Sequence, residues 1–301
     1  MAGRRSRQPA FALSGKTAFI TGAARGIGAA TAERLHARGV NIALVGLEPE
    51  RLSAHVQRLG QEHAIALECD VTDSGALEAA VAQTVERFGG IDIAIANAGI
   101  AFVGSLAHSP IEQIERTLAV NLLGVWRTDR AVAAQIIERQ GYILNISSLS
   151  AILHAPLMGA YTTAKAGVDA LSDALRMELA PSGARVGAAY FGFIDTDIVR
   201  ASYAHPAAER MNRRMPSFLR GPAPLSCAID AIEQGIETRA ARVFAPRWAA
   251  GAYALRGLLQ PLSERLTLRQ SADLAAALAE ADAGARERAE DLALGIAARA
   301  L

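Results

Sequence analysis

Over residues 16–244, short apolar runs alternate with longer stretches whose apolar positions recur three and four residues apart. The runs are KTAFIT, VNIALVG, AIALECD, IDIAIAN, GYILNIS, ARVGAAY and ARVFAP. They are nearly continuously apolar, which predicts strands buried on both faces, as in a parallel sheet. The periodic stretches include residues 27–38, 74–88, 110–139 and 161–180, which read as helices. Parallel strands need right-handed helical crossovers. The expected fold is therefore α/β, a Rossmann-type doubly wound parallel sheet of about seven strands with helices on both faces.

The pattern also divides the chain. Residues 14–249 read as one domain. Residues 1–13 read as a disordered basic arm without the apolar stretch of a secretory signal. After about residue 250 the chain becomes Ala-rich and charged, so residues 250–301 are expected to form a helical extension. At its start, Trp248, Tyr253, Leu255, Leu258, Leu259 and Leu262 form an apolar stretch beside Arg247, Arg256 and Arg265. Packing on the domain or on a second subunit is the expectation there, with a peripheral membrane contact as the alternative.

Composition narrows the functions. Apolar residues make up 51% of the chain, ample for a core, and net charge is +1, which gives no reason to expect nucleic acid as a partner. No run is long and apolar enough for an integral membrane segment. Cys69 and Cys227 are far apart and outside any CxxC, which suits a reducing, cytoplasmic setting. The histidines show no ligand spacing, so no metal is expected.

Three clusters carry chemistry. The first strand runs into TGAARGIG, where Gly22, Arg25, Gly26, Ile27 and Gly28 form a glycine turn at a helix start. Glycines allow close approach of a pyrophosphate, and a helix N-terminus supplies N–H donors. Asp70 and Val71 end the third strand within CDVTD, where Asp70 could reach an adenine edge; Asn97, Ala98 and Gly99 end the fourth. Ligands of doubly wound sheets bind at such strand ends.

The third cluster involves a rare residue. The chain has 29 Arg but only two Lys, Lys16 and Lys165. Lys165 follows Tyr161 by four, so the two share a helix face. An ammonium there would lower the phenol's pKa and reach a ribose, which the planar guanidinium fork would do differently. Ser148 ends the strand GYILNIS thirteen residues before Tyr161, with Ser147 and Ser150 close by. It could donate to a substrate oxygen. Asn121 sits within the long 110–139 helix, where its amide could bridge by water to Lys165.

In order and spacing these motifs resemble the short-chain dehydrogenase/reductase family over about residues 14–245. The resemblance implies an oxidoreductase that exchanges a hydride between a nicotinamide cofactor and a carbonyl or alcohol carbon. It implies the tetrad Asn121, Ser148, Tyr161 and Lys165, with Tyr161 as general acid/base, Ser148 polarising the substrate oxygen and Asn121 holding a relay water. It implies cofactor contacts from the glycine turn, Asp70, Val71, the NAG segment, Gly192 and Thr196, and a homodimer or homotetramer. One departure is YFGFIDTD, where Phe191 stands in place of the family's usual proline. Phe191 or Phe193 could then face the substrate.

The cofactor choice turns on the end of the second strand. Gly46 replaces the acidic residue that selects NAD(H), and Arg25 could pair with a 2′-phosphate. NADP(H) is favoured; Glu48, close enough to reach a ribose, keeps NAD(H) open. The substrate loop is expected over about residues 194–224, with Tyr203, Met211, Met215, Phe218 and an NRRM cluster. Leu149, Ile152, Leu153, His154, Leu157 and Met158 add apolar surface, so the substrate is expected to be a lipophilic small-molecule ketone or secondary alcohol. A hydrolase built on Ser148 would need a G-x-S-x-G elbow that is missing. A non-catalytic nucleotide-binding regulator, or an interaction protein on the same scaffold, is the alternative.

Overall fold

The computed structural model describes residues 11–197, 199–200, 221–269 and 274–281. Seven parallel strands form one sheet: β1 (Thr17–Thr21), β2 (Asn41–Gly46), β3 (Ala64–Glu68), β4 (Ile93–Ala96), β5 (Tyr142–Ile146), β6 (Arg185–Phe191) and β7 (Arg242–Ala245). Their order is β3-β2-β1-β4-β5-β6-β7. The chain leaves the β3 edge and returns to β4 on the far side of β1. That reversal opens a crevice at the carboxyl ends of β1 and β4.

The strands are apolar throughout because both faces are covered. In β1, Ala18 and Ile20 join one core cluster while Phe19 joins the other. In β2, Ile42 and Leu44 face the first and Ala43 and Val45 the second. Helices α1 (Gly26–His36), α2 (Pro49–Leu59) and α7 (Leu225–Thr238) close the first face. Helices α3 (Ser74–Phe88), α5 (Gly124–Glu138) and α6 (Gly159–Leu179) close the second. Each fully buried aliphatic side chain contributes about 1.5–3 kcal/mol.

The structure refines one helix and bears on the chain's two ends. Helix 110–139 is not uninterrupted: α4 (Ile111–Leu118) passes through a π-helical turn (Ala119–Leu123) into α5. Phe11 N–H donates to Glu237 O at 2.8 Å and Leu13 is buried in the core, so these two residues of the expected arm pack on the domain. Most of the expected substrate loop, including Tyr203, Met211, Met215, Phe218 and NRRM, lies outside the described residues, as do residues 1–10 and 282–301. The C-terminal region contributes α8 (Ala249–Ala254), α9 (Arg256–Leu268) and a helical segment over 274–281. Among the described residues no helix is long and apolar enough to cross a membrane.

Candidate active site

The glycine turn is built by close packing. Gly22 has φ +64, and a Cβ there would lie 2.8 Å from Ala98 Cα. A Cβ at Gly28 would collide with Gly22 O and come within 2.7 Å of Asn97 Nδ2. Asn97 ties β4 to β1: its Nδ2 donates to Thr21 O (2.9 Å) and Gly22 O (3.1 Å), and its N–H donates to Thr21 Oγ1 (3.0 Å). Gly26, at φ +58, borders open space, with only Thr196 Cγ2 near its would-be Cβ at 3.8 Å. Helix α1 starts without a side-chain cap and with no acid in its first turn. Its N–H groups are thus available to an anion. An uncapped helix start beside an open, positive-φ glycine fits a dinucleotide pyrophosphate.

This turn opens into a cleft of about 1280 Å³. Gly22, Arg25, Gly26, Ile27, Asp70, Val71, Asn97, Ala98, Gly99, Ser148, Tyr161, Lys165, Gly192 and Thr196 all line it. Gly28 and Asn121 sit behind its wall. Asp70 is held locally, its Oδ1 accepting from Thr72 N–H (2.8 Å) and Thr72 Oγ1 (2.9 Å).

At the rim, Glu48 Oε1 meets Arg25 Nε at 3.2 Å and Glu48 Oε2 meets Arg51 Nε at 3.1 Å. Two guanidinium groups thus share one carboxylate beside Gly46. Arg51 was not visible as a site residue from the motif, because it enters from the first turn of α2.

At the other end, α6 places Tyr161 and Lys165 one turn apart, with Lys165 Nζ 5.7 Å from the Tyr161 ring centroid. Lys165 is buried and donates to Ile146 O at 2.7 Å. Burial lowers its pKa to about 8, so it stays mostly charged at neutral pH. Ser147 Oγ donates to Lys165 O (3.1 Å), pinning α6 to the end of β5. Gly99 keeps the space above Lys165 clear: a Cβ there would lie 3.0 Å from Asn121 Oδ1 and 3.9 Å from Lys165 Nζ.

Tyr161 departs from expectation. Burial raises its phenol above the ordinary value, and a hydrogen bond with Ser148 offsets part of that. Burial outweighs the expected lowering by Lys165, whose Nζ lies 5.7 Å from the ring centroid. Ser148 Oγ also accepts from Ser150 N–H at 3.1 Å. A phenol held protonated by burial beside Ser148 can donate a proton to an oxygen in the cleft.

Asn121 sits in the π-helical turn, a distortion common at functional sites. Its amide is engaged with Ile100 on both sides: Ile100 N–H donates to Oδ1 (2.8 Å) and Nδ2 donates to Ile100 O (2.7 Å). It therefore fixes the segment after Gly99, and its Nδ2 is not pointing at Lys165 through free space.

The substrate end also differs. Phe191 is mostly buried but still lines the cleft, and its carbonyl accepts from Ser148 Oγ at 3.5 Å. None of Leu149, Ile152, Leu153, His154, Leu157 and Met158 lines the cleft; Ile152 and Leu157 are buried and His154 is on the surface. The wall comes instead from Ile100, Ala101, Phe102 and Val103, with Glu112, Gln113 and Arg116 from α4. The loop after a NAG segment has no periodicity that would mark it.

Beneath the tetrad lies a buried carboxyl. Asn145 Nδ2 donates to Asp129 Oδ2 (2.8 Å) and to Ser172 Oγ (3.1 Å), while Asp129 Oδ1 has no partner. Burial pushes the Asp129 carboxyl up to about 7, and the Asn145 bond pulls the other way. The folded value exceeds the unfolded one, so the stability is fully present below about pH 4. It is lost as pH rises through 7. The displacement corresponds to about 4 kcal/mol. Asp129→Asn is expected to raise the urea midpoint more at pH 8 than at pH 5; an equal change at both would contradict the buried acid.

The geometry can be set beside known proteins. Residues 16–207 match the model of the short chain dehydrogenase family. 2-(R)-hydroxypropyl-CoM dehydrogenase of Xanthobacter autotrophicus is 35% identical over 192 residues, covering 62% of this chain and 77% of the relative. 3beta-hydroxysteroid dehydrogenase 1 of Eggerthella lenta is 33% identical over 208 residues, covering 67% and 80%. A short chain dehydrogenase/reductase from Burkholderia phymatum in complex with NAD shares the fold, with TM-score 0.71 and 24% identity over 81% of this chain and 93% of that one. An alcohol dehydrogenase from Thermococcus sibiricus complexed with 5-hydroxy-NADP gives TM-score 0.64 and 28% identity over 73% and 89%. The matched span holds both the glycine turn and the Tyr161–Lys165 pair that the fold brings to one cleft, and this chain belongs to the short chain dehydrogenase family.

Proposed function

We propose that this chain interconverts a lipophilic ketone and its secondary alcohol with NADP(H). The observation that carries the reading is that Ser148, Tyr161 and Lys165 line one cleft with the glycine turn, the Lys165 ammonium 5.7 Å from the Tyr161 ring centroid. The nicotinamide cofactor supplies or accepts the hydride. Tyr161 gives the proton to the carbonyl oxygen, or takes it from the alcohol in reverse. Ser148 holds that oxygen. Lys165 offsets the charge that develops on the phenol, within reach of a ribose hydroxyl. Gly22, Gly26, Ile27, Gly28, Asn97 and Ala98 shape the pyrophosphate end, while Asp70 and Val71 meet the adenine. Gly192 and Thr196 border the nicotinamide end. Phe102, Val103 and Ile100 make the substrate wall apolar, and relatives named for hydroxysteroid and hydroxypropyl substrates agree with a secondary alcohol.

The 2′-phosphate would sit between Arg25 and Arg51, displacing Glu48 from one or both. Arg25→Ala is expected to weaken NADPH about tenfold and to leave NADH within about twofold, read by nicotinamide fluorescence. Tighter NADH than NADPH in the wild type would instead assign Glu48 to the ribose hydroxyls and make the enzyme NAD(H)-dependent. We place the protein in the cytoplasm, where Cys69 and Cys227 remain thiols. We further propose a homodimer or homotetramer through α5, the π-helical turn before it and α6, where Trp126, Leu123 and Met177 are exposed.

A further inference from the structure

Helix α9 buries none of its residues, yet its outward face is apolar. Leu255, Leu258, Leu262 and Leu266 follow at spacings of three and four and fall on one side of the helix. Leu258 is 73% exposed and Leu262 52%. Arg265 and Arg269 fall in or beside the same sector, since each residue turns the helix by about 100°. Neither makes an ion pair among the described residues, and Glu264 is the one carboxylate of the helix. Of the stretch expected to pack on the domain or on a second subunit, Leu259 is half-buried, while Leu255, Leu258 and Leu262 turn outward. A polar face is what a helix resting on a soluble domain normally shows to water.

The charge chooses the occupant. A second copy of the chain would have to desolvate Arg265 and Arg269 against a like-charged stripe. A bilayer with anionic headgroups gives the leucines acyl depth and the arginines phosphates. The helix spans 13 residues, about 20 Å, too short to cross a bilayer but long enough to lie in its surface.

We propose that α9 docks this chain on the surface of a bilayer containing anionic phospholipid, leucines inward and arginines at the phosphates. The side of α9 opposite the leucines holds the helix to the domain near the substrate end of the cleft. Gln260 Oε1 accepts from His154 N–H (2.8 Å), on the segment joining Ser148 to Tyr161. The helical segment 274–281 packs through Ala277 and Leu278 on Leu157 and on Val103, which lines the cleft. A lipophilic substrate would thus be drawn from the membrane; this last step rests on the function proposed above, while the docking does not.

Flotation of the full chain with vesicles tests it. Vesicles of phosphatidylcholine containing phosphatidylserine should carry the wild type, and phosphatidylcholine alone should carry much less. The triple variant Leu258→Ser, Leu262→Ser, Leu266→Ser should lose about tenfold of the bound fraction. Arg265→Glu with Arg269→Glu should lose a comparable share at low salt and unfold at an unchanged temperature, because α9 buries nothing. A wild type that ignores both vesicles overturns the proposal. So does a leucine variant that turns a dimer into a monomer in lipid-free solution while vesicle binding is unchanged. Turnover of a panel of ketones, lipophilic ones included, is measured on the same samples without vesicles. Flotation without turnover sinks the oxidoreductase reading alone; turnover without flotation sinks the docking alone.

Discussion

Tyr161→Phe is expected to reduce kcat by about 10² to 10⁴ while cofactor affinity changes less than about twofold. Phenylalanine keeps the ring beside Lys165 and removes one O–H. That O–H is the proton donor paired with Ser148. Because the loss falls on a group engaged in the transition state, kcat and kcat/KM should drop together. Stability should change by no more than about 1 kcal/mol, the worth of one hydrogen bond. Steady-state kinetics beside a nicotinamide fluorescence titration separates the two effects. A variant that retains more than a tenth of wild-type turnover would show that another group moves the proton.

Gly28→Ala is expected to weaken cofactor binding by at least about 100-fold and to destabilise the fold by about 1–3 kcal/mol. The methyl would collide with the Gly22 carbonyl. That carbonyl cannot retreat freely, because Asn97 Nδ2 holds both it and Thr21 O. The clash therefore spreads to the junction of β1 and β4, the floor of the pyrophosphate end. Gly26→Ala is the matching control. Its methyl meets only Thr196 Cγ2 at 3.8 Å, so the protein bears mainly the positive-φ strain, about 1–2 kcal/mol. Its methyl would still project toward the phosphate path. Equal binding by wild type and Gly28→Ala would remove the dinucleotide from this turn.

Much of this architecture was legible because it is local. Continuous apolar runs marked all seven strands, since strands covered on both faces cannot alternate. The glycine turn and the Tyr161–Lys165 spacing lie within single turns of chain, and the fold set both on one cleft. What escaped depends on partners distant in sequence. Asn121 read as a residue of one long helix, but its amide pairs with Ile100, 21 residues away, across a π-helical turn. Arg51 joins Arg25 only when α2 folds back over α1. Asp129 and Asn145 meet across the α5–β5 contact, and nothing in either segment alone marks a buried acid. Leucine spacing in α9 disclosed a stripe but not which way it turned.

The most direct test of the central claim is the fate of a labelled hydride. The protein would be incubated with NADPH carrying deuterium at both C4 positions and a panel of lipophilic ketones, and the products analysed by mass spectrometry. The account predicts one deuterium on the carbinol carbon of at least one product, and about 10²-fold or greater slowing with Tyr161→Phe. Tight NADPH binding with no deuterium transferred from it, and none recovered in cofactor from deuterated secondary alcohols, would contradict the account and leave a nucleotide-binding regulator on a dehydrogenase scaffold.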